Sequence, residues 1–295
     1  MILFIAFLSP MFYATAVLIE SLLSNYTFKH QTTMIFYISM MNCVFLPLLL
    51  LFGVPTFPPR DVWGYYFILA LIDVGYLYPY YSAMKVIDTS IVSALFALGQ
   101  VIVPILSYFI LKDVLSLHQY IGFMIIIMAS IALSIKGNKI PKLNRAFYYM
   151  LLSSFMLSSR IIFVKLVIKE EGNWVNLIFY PNLMSGILPL GLLFITKYRK
   201  DIVKHFPPYL HKCPLFALNE FMYFWAVTTE TYGVSKLSPV VSAAIDRMEP
   251  IFLLAISGFL LYAFNIKLKE KITAKVLLKK LFCFVLMILG VILVV

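Results

Sequence analysis

Charge is what this sequence has least of. Of its 295 residues only 13% are Asp, Glu, Lys or Arg, against 62% that are apolar. Soluble domains carry roughly a quarter charged and about half apolar residues, so a soluble globular fold, a disordered chain and a coiled coil are excluded. Cysteine is scarce too. Cys43, Cys213 and Cys283 are odd in number and far apart, which fits neither a disulfide framework nor a metal cluster. The four histidines (His30, His118, His205 and His211) form no His-Glu-x-x-His pair. Gly-x-Ser-x-Gly, a Gly-rich phosphate loop and Asp-x-x-x-Asp are also missing. Those absences argue against a metalloprotease, a serine hydrolase, an ATP-driven pump and a metal-dependent prenyl transferase. No catalytic residue, metal ligand or cofactor is expected, and the chain does not read as an enzyme.

Long apolar runs are what it has in abundance. Mean hydropathy is +0.95. A helix needs about 20 mostly apolar residues to cross ~30 Å of hydrocarbon. Ten such runs are expected near 2–23, 33–53, 63–84, 90–111, 119–136, 146–168, 175–196, 213–233, 239–262 and 276–295. They are continuously apolar rather than alternating, which favours helices over a barrel. Ala14-Thr15-Ala16 looks like a signal-peptidase site, but no Lys or Arg precedes Lys29, so the first run is read as a retained helix. The net charge of +11 sits between the apolar runs. It is read as loop charge beside anionic lipid, not as a nucleic-acid footprint.

The runs repeat. Ile35-Phe36-Tyr37 recurs as Ile178-Phe179-Tyr180, Met41 as Met184, and Leu46-Pro47-Leu48 as Leu188-Pro189-Leu190. Ala70-Leu71-x-Asp73-x-x-Tyr76 recurs as Ala217-Leu218-x-Glu220-x-x-Tyr223, and Pro104 aligns with Pro250. The expected architecture is an all-α integral membrane protein of ten transmembrane helices in two five-helix repeats, 1–140 and 141–295, forming one domain. Five is odd, so the second copy enters the membrane from the opposite side. Inverted repeats of this kind are a signature of secondary transporters.

These residues resemble the drug/metabolite transporter superfamily, in its ten-helix EamA-type branch. The likeness rests on Ser93-Ala94-Leu95 leading to Pro104, Lys112-Asp113, Ile121-Gly122-Phe123 through Ile131-Ala132-Leu133, Glu249-Pro250 and Leu289-Gly290-Val291-Ile292. The chain departs from the family pattern at Val103, where an acid would precede Pro104, and at Asp113, where Gly-Glu is common. The resemblance implies ten helices around a central cavity and export or exchange of small organic solutes. It also implies both termini in the cytoplasm. The charge count points the other way: 17 basic residues fall in loops after odd-numbered runs and four in loops after even-numbered ones. The positive-inside rule then places both termini outside, and that orientation is preferred here.

The most informative residues are charges inside apolar runs. Glu20, Asp73, Glu220, Glu230, Asp246 and Glu249 are balanced only by Arg160, Lys165 and Arg247. Each ionised group at mid-membrane costs roughly 2.5–3.5 kcal/mol, so they should face a cavity, pair, or take a proton. Asp73 and Glu220 occupy equivalent repeat positions, each with a tyrosine three residues on, Tyr76 and Tyr223. Tyr80 extends the same face. An acid beside phenol rings can hold an ammonium group or a proton; the same residues could also serve only to fix helix packing. Asp246 and Glu249 should share a face next to the Pro250 break. Arg160 needs an acidic partner or a substrate carboxylate. Glu20, Lys165 and Glu230 lie near expected helix ends and read as snorkelling groups, and Tyr13 as core packing.

The expected function is a secondary carrier of small organic solutes, most simply amino acids or related amines, working by alternating access with proton coupling. The expected site comprises Asp73, Tyr76, Tyr80, Glu220, Tyr223, Asp246, Glu249 and Arg160. The partners are the bilayer, a small solute and protons, with no nucleic acid; a monomer in the plasma membrane fits. A flippase of lipid-linked sugars and an intramembrane enzyme are the alternatives.

Overall fold

Proline decides where several of these helices break. In the computed structural model, which describes residues 2–26, 30–85, 96, 101–134, 145–264 and 274–294, all regular structure is helical. Lys29, Ser93-Ala94-Leu95, Gly99 and much of the basic stretches 136–145 and 267–280 lie outside the described residues. Helix α1 spans Ile2–Tyr26, and α2 spans Gln31–Asn42 before tightening into a 3-10 segment, Cys43–Leu51, that contains Pro47. Helix α3 (Trp63–Gly75) is followed by α4 (Leu77–Met84). The run expected over 63–84 is thus divided at Gly75-Tyr76. Pro79 lies four residues beyond Gly75, where it supplies no N–H and its ring crowds that carbonyl.

Helix α5 (Ile102–Leu106) passes into a π turn, Ser107–Leu111, that closes at Lys112 with φ +60°. Next come α6 (Leu117–Ser134) and α7 (Arg145–Glu171). Helix α8 (Asn176–Ile187) runs into a second 3-10 segment, Leu188–Phe194, which contains Pro189. Helix α9 (Thr196–Lys204) precedes α10 (Phe206–Lys236). Then α11 (Pro239–Asp246), α12 (Glu249–Phe264) and α13 (Ala274–Val294) complete the chain. The run expected over 239–262 therefore also divides, between Asp246 and Glu249. Pro250 has no N–H to give to the helix before it, and proline is well suited to the first turn of the new helix α12.

Among the described residues four stretches are long and apolar enough to cross a membrane: Ile2–Glu20, Gln31–Leu51, Arg145–Glu171 and Asn176–Phe194. Large apolar side chains stand exposed on the outside, among them Phe4, Leu51, Phe109, Phe194 and Tyr262. A soluble protein would bury such a surface; lipid solvates it. The protein is integral to a membrane. Helix α10 is longer than any of the four, yet Asn219, Glu220, Thr228, Thr229, Glu230 and Thr231 lower its hydropathy. All six are buried, so they face the protein and not lipid.

Packing draws α1 against α10 and α12, α7 against α3, α4 and α5, and α6 against α13. Gly122 and Gly290 let α6 and α13 approach closely: a Cβ built on Gly122 would lie 2.6 Å from the Gly290 carbonyl oxygen. The sequence suggests the same role for Gly258, but open space surrounds it. Trp63 packs edge-on against Tyr66 and Tyr180, and Trp174 against Phe52 and Tyr232.

Candidate functional site: a central cavity walled by acids and tyrosines

Where α1, α4, α7, α10, α11 and α12 converge, they enclose a cavity of about 90 Å³. By the measure in which about 10–15 Å³ holds one water, this is room for several waters or a small solute. Its wall carries four carboxylates (Glu20, Glu230, Asp246, Glu249), two guanidinium groups (Arg160, Arg247) and the phenols of Tyr13, Tyr76, Tyr80 and Tyr223.

Arg160 organises one side. From the middle of α7, its Nε donates to Asp73 Oδ1 at 2.7 Å and its Nη1 reaches Glu230 Oε2 at 3.4 Å. All three side chains are under 10% exposed. Tyr13 donates to the same Glu230 oxygen at 2.7 Å. The arginine thus ties α3 to α7 and α10, and the phenol brings in α1. The acidic partner that the sequence requires for Arg160 is Asp73 together with Glu230. Held by two carboxylates, Arg160 is poorly placed to receive a third from a substrate.

Glu20 organises the other side. The Tyr80 hydroxyl donates to Glu20 Oε2 and the Tyr81 hydroxyl to Oε1, both at 3.0 Å. Tyr80 therefore works with Glu20 and not with Asp73, from which it stands about two helical turns away. Asp246 accepts from Ser9 Oγ at 2.9 Å, linking α11 to α1. Asp246 and Glu249 both line the cavity although they sit on separate helices. Arg247, between them, has a buried Nε with no hydrogen-bond partner in the protein.

A smaller chamber of about 20 Å³ lies behind the first and shares Glu20, Tyr76 and Tyr223 with it. Asp73, Glu220, Asn42, Ser39, Asn182 and Ser185 complete its lining. Glu220 Oε1 accepts from Asn219 at 2.8 Å, while Glu220 Oε2, Asn42 Oδ1 and Asp73 Oδ2 are buried with no hydrogen-bond partner in the protein.

Of the eight residues singled out from the sequence, Tyr76, Tyr80, Tyr223, Asp246, Glu249 and Arg160 line the larger cavity. Asp73 and Glu220 line the smaller one. Glu20, Glu230 and Tyr13 belong to the larger cavity as well, although none of them is in the expected site. Helix α1 runs on to Tyr26 and α10 to Lys236, so both acids lie inside helices and not at ends from which they could snorkel. Lys165 instead donates to the carbonyls of Val234 and Leu237, at 2.9 and 2.7 Å, closing the end of α10. Among the described residues no group of three His, Cys, Asp or Glu side chains is placed to hold a metal ion.

No curated protein matches the chain. A crystal structure of a protein aligns with 99% of this chain and 96% of its own, with a TM-score of 0.66 and 13% identity, a likeness of fold alone. Residues 1–135 match the model of the EamA-like transporter family. This match agrees with the all-helical fold, the lipid-facing exterior and the polar cavity inside. The chain is thus similar, over a little under half of its length, to the EamA-like transporter family.

Proposed function

We propose that the protein is a secondary transporter of amino acids or related amines, working by alternating access in the plasma membrane. The observation that carries this reading is the central cavity, where four carboxylates face two guanidinium groups and four phenols inside a lipid-solvated fold. One of those guanidiniums is already occupied by Asp73, which lies outside the cavity wall. The wall therefore has an excess of negative charge, and a bound cation offsets it at lower cost than bare carboxylates in a bilayer. Tyrosine faces add cation–π attraction for an ammonium group. Arg247, with its unpartnered Nε, is the group for a solute carboxylate. A zwitterionic amino acid satisfies both ends.

The same reading takes the chain as ten spans in two inverted five-helix repeats, 1–140 and 141–295. Paired features support it. Helices α2 and α8 each give way to a proline-containing 3-10 segment at matching repeat positions. Exchanging the halves also exchanges packing partners: α1 with α10 corresponds to α7 with α3 and α4, and α1 with α12 to α7 with α5. Alternating access is then a rocking of one half against the other around the cavity.

The test is solute flux into proteoliposomes that contain a trapped pH dye, challenged with an amino-acid and amine panel. Flux of one class with a solute-dependent pH change is the expected result and supports proton coupling. Flux with a flat dye retains the carrier and removes the proton. No flux of any member contradicts the assignment and favours lipid-linked substrates. Glu220→Gln is expected to abolish the pH dependence while the protein stays folded and monodisperse.

A further inference from the structure

The smaller chamber presents oxygen atoms without matching donors. Glu220 Oε2, Asn42 Oδ1 and Asp73 Oδ2 belong to three different helices, α10, α2 and α3, and each is buried without a hydrogen-bond partner in the protein. Their residues line one small space, with Ser39, Asn182 and Ser185 adding further oxygens. Asn42 is 7% exposed and Glu220 1% exposed. An unpartnered buried acceptor costs about 1–3 kcal/mol, more when charged, so three around one chamber mark a place built for a positive charge.

The charge balance limits that ion. Glu20 also borders the chamber, but both of its oxygens are taken up by Tyr80 and Tyr81; among the residues with free oxygens, Asp73 is neutralised by Arg160 through its other oxygen, which leaves the Glu220 carboxylate. Calcium takes six to eight oxygens with several carboxylates among them, and magnesium keeps its waters. One net negative charge among the residues with free oxygens, neutral carbonyl and hydroxyl oxygens, and room for about one water sphere suit a small monovalent cation. A proton on Glu220 could serve Glu220 and one neighbouring acceptor, but not all three oxygens. We propose that this chamber binds a sodium ion through Glu220, Asn42 and Asp73, and that the ion couples to the solute through Tyr76, Tyr223 and Glu20, which both cavities share. The coupling rests on the transporter reading above; the ion site does not. Protons and sodium compete for Glu220, so they are alternative coupling ions at one place.

The purified full-length protein tests the site without any solute. Its thermal unfolding is followed in NaCl, KCl and choline chloride of equal ionic strength. Sodium is expected to raise Tm by a few degrees over choline, because a ligand that binds only the folded state stabilises it. Asn42→Ala and Glu220→Gln are expected to lose that rise, whereas Asp246→Asn, in the other cavity, keeps it. Equal stabilisation by potassium, no sodium effect in the wild type, or an undiminished effect in Asn42→Ala would each overturn the proposal. Should one variant fail to fold, ²³Na line broadening with the wild type, relieved by acid, reads the same site. A sodium effect with no solute flux keeps the ion site and removes the transporter reading; flux with no sodium effect does the reverse.

Discussion

Between α6 and α13 the helices meet through glycine and aliphatic groups; between α1, α7 and α10 they meet through carboxylates, a guanidinium and phenols. Within lipid, apolar contact between helices has no hydrophobic driving force, since lipid tails are as apolar as leucine. The α6–α13 seam therefore depends on closeness: Gly122 and Gly290 place each backbone against the other. The interior depends on matching. Arg160 serves two acids, Tyr80 and Tyr81 share Glu20, and Ser9 serves Asp246. Among the described residues matching is incomplete at Arg247 Nε, Glu220 Oε2, Asn42 Oδ1 and Asp73 Oδ2, whose residues line the two cavities, and also at Asn219 Oδ1, Thr231 Oγ1 and Ser242 Oγ, whose residues line neither. The seam is finished without a ligand, and the interior is not.

Four substitutions separate these regions. Arg160→Ala should do most harm, because it strands Asp73 and Glu230 as buried carboxylates. Breaking a buried pair costs about 3–5 kcal/mol, so little monodisperse protein is expected on size exclusion. Gly290→Val attacks the seam: a Cβ there already meets Ile126 Cγ1 at 2.6 Å and the Gly122 carbonyl oxygen at 2.8 Å. Overpacking of this kind costs about 1–3 kcal/mol. The expected outcome is a lower Tm with an unchanged solute KM, and a changed KM would show that the seam takes part in binding. Tyr81→Phe removes one of two hydrogen bonds to Glu20, worth about 0.6 kcal/mol by the average for membrane helices. It should lower Tm slightly. Thr33→Val breaks the hydrogen bond between α2 and α9 that joins Thr33 to Asp201, two residues that line neither cavity. Its cost to stability should again be about 0.6 kcal/mol, read as a small fall in Tm with transport unaltered.

The two regions also differ in how far the sequence reveals them. Gly122 and Gly290 stand out in apolar runs, and the seam they form needs no knowledge of distant partners. Asp73, Glu220 and Arg160 stand out for the same reason, as charges in the wrong solvent. Their environments do not. Asp73 and Glu220 occupy matching repeat positions, yet one is paired with an arginine and the other with the neighbouring Asn219. Ser9 and Asp246 lie 237 residues apart, so nothing local announces their contact. Glu20 and Glu230 were misplaced because apolar runs end before the helices do: α1 continues to Tyr26 and α10 to Lys236. Proline effects were legible in type but not in place. The run over 63–84 divides at Gly75-Tyr76, just before Pro79, and the run over 239–262 divides between Asp246 and Glu249, just before Pro250, which sets Asp246 and Glu249 on separate helices.

The claim at the centre of this account is that the carboxylates of the larger cavity hold the ammonium group of a solute. Equilibrium binding of labelled amino acids and amines to purified wild-type protein and to Glu20→Gln tests it most directly. Glutamine keeps the size and an acceptor for a tyrosine hydroxyl but removes the charge. The account predicts saturable binding of an amino-bearing solute by the wild type and at least tenfold weaker binding by the variant, which corresponds to about 1.4 kcal/mol. Equal affinity in the two proteins would contradict it.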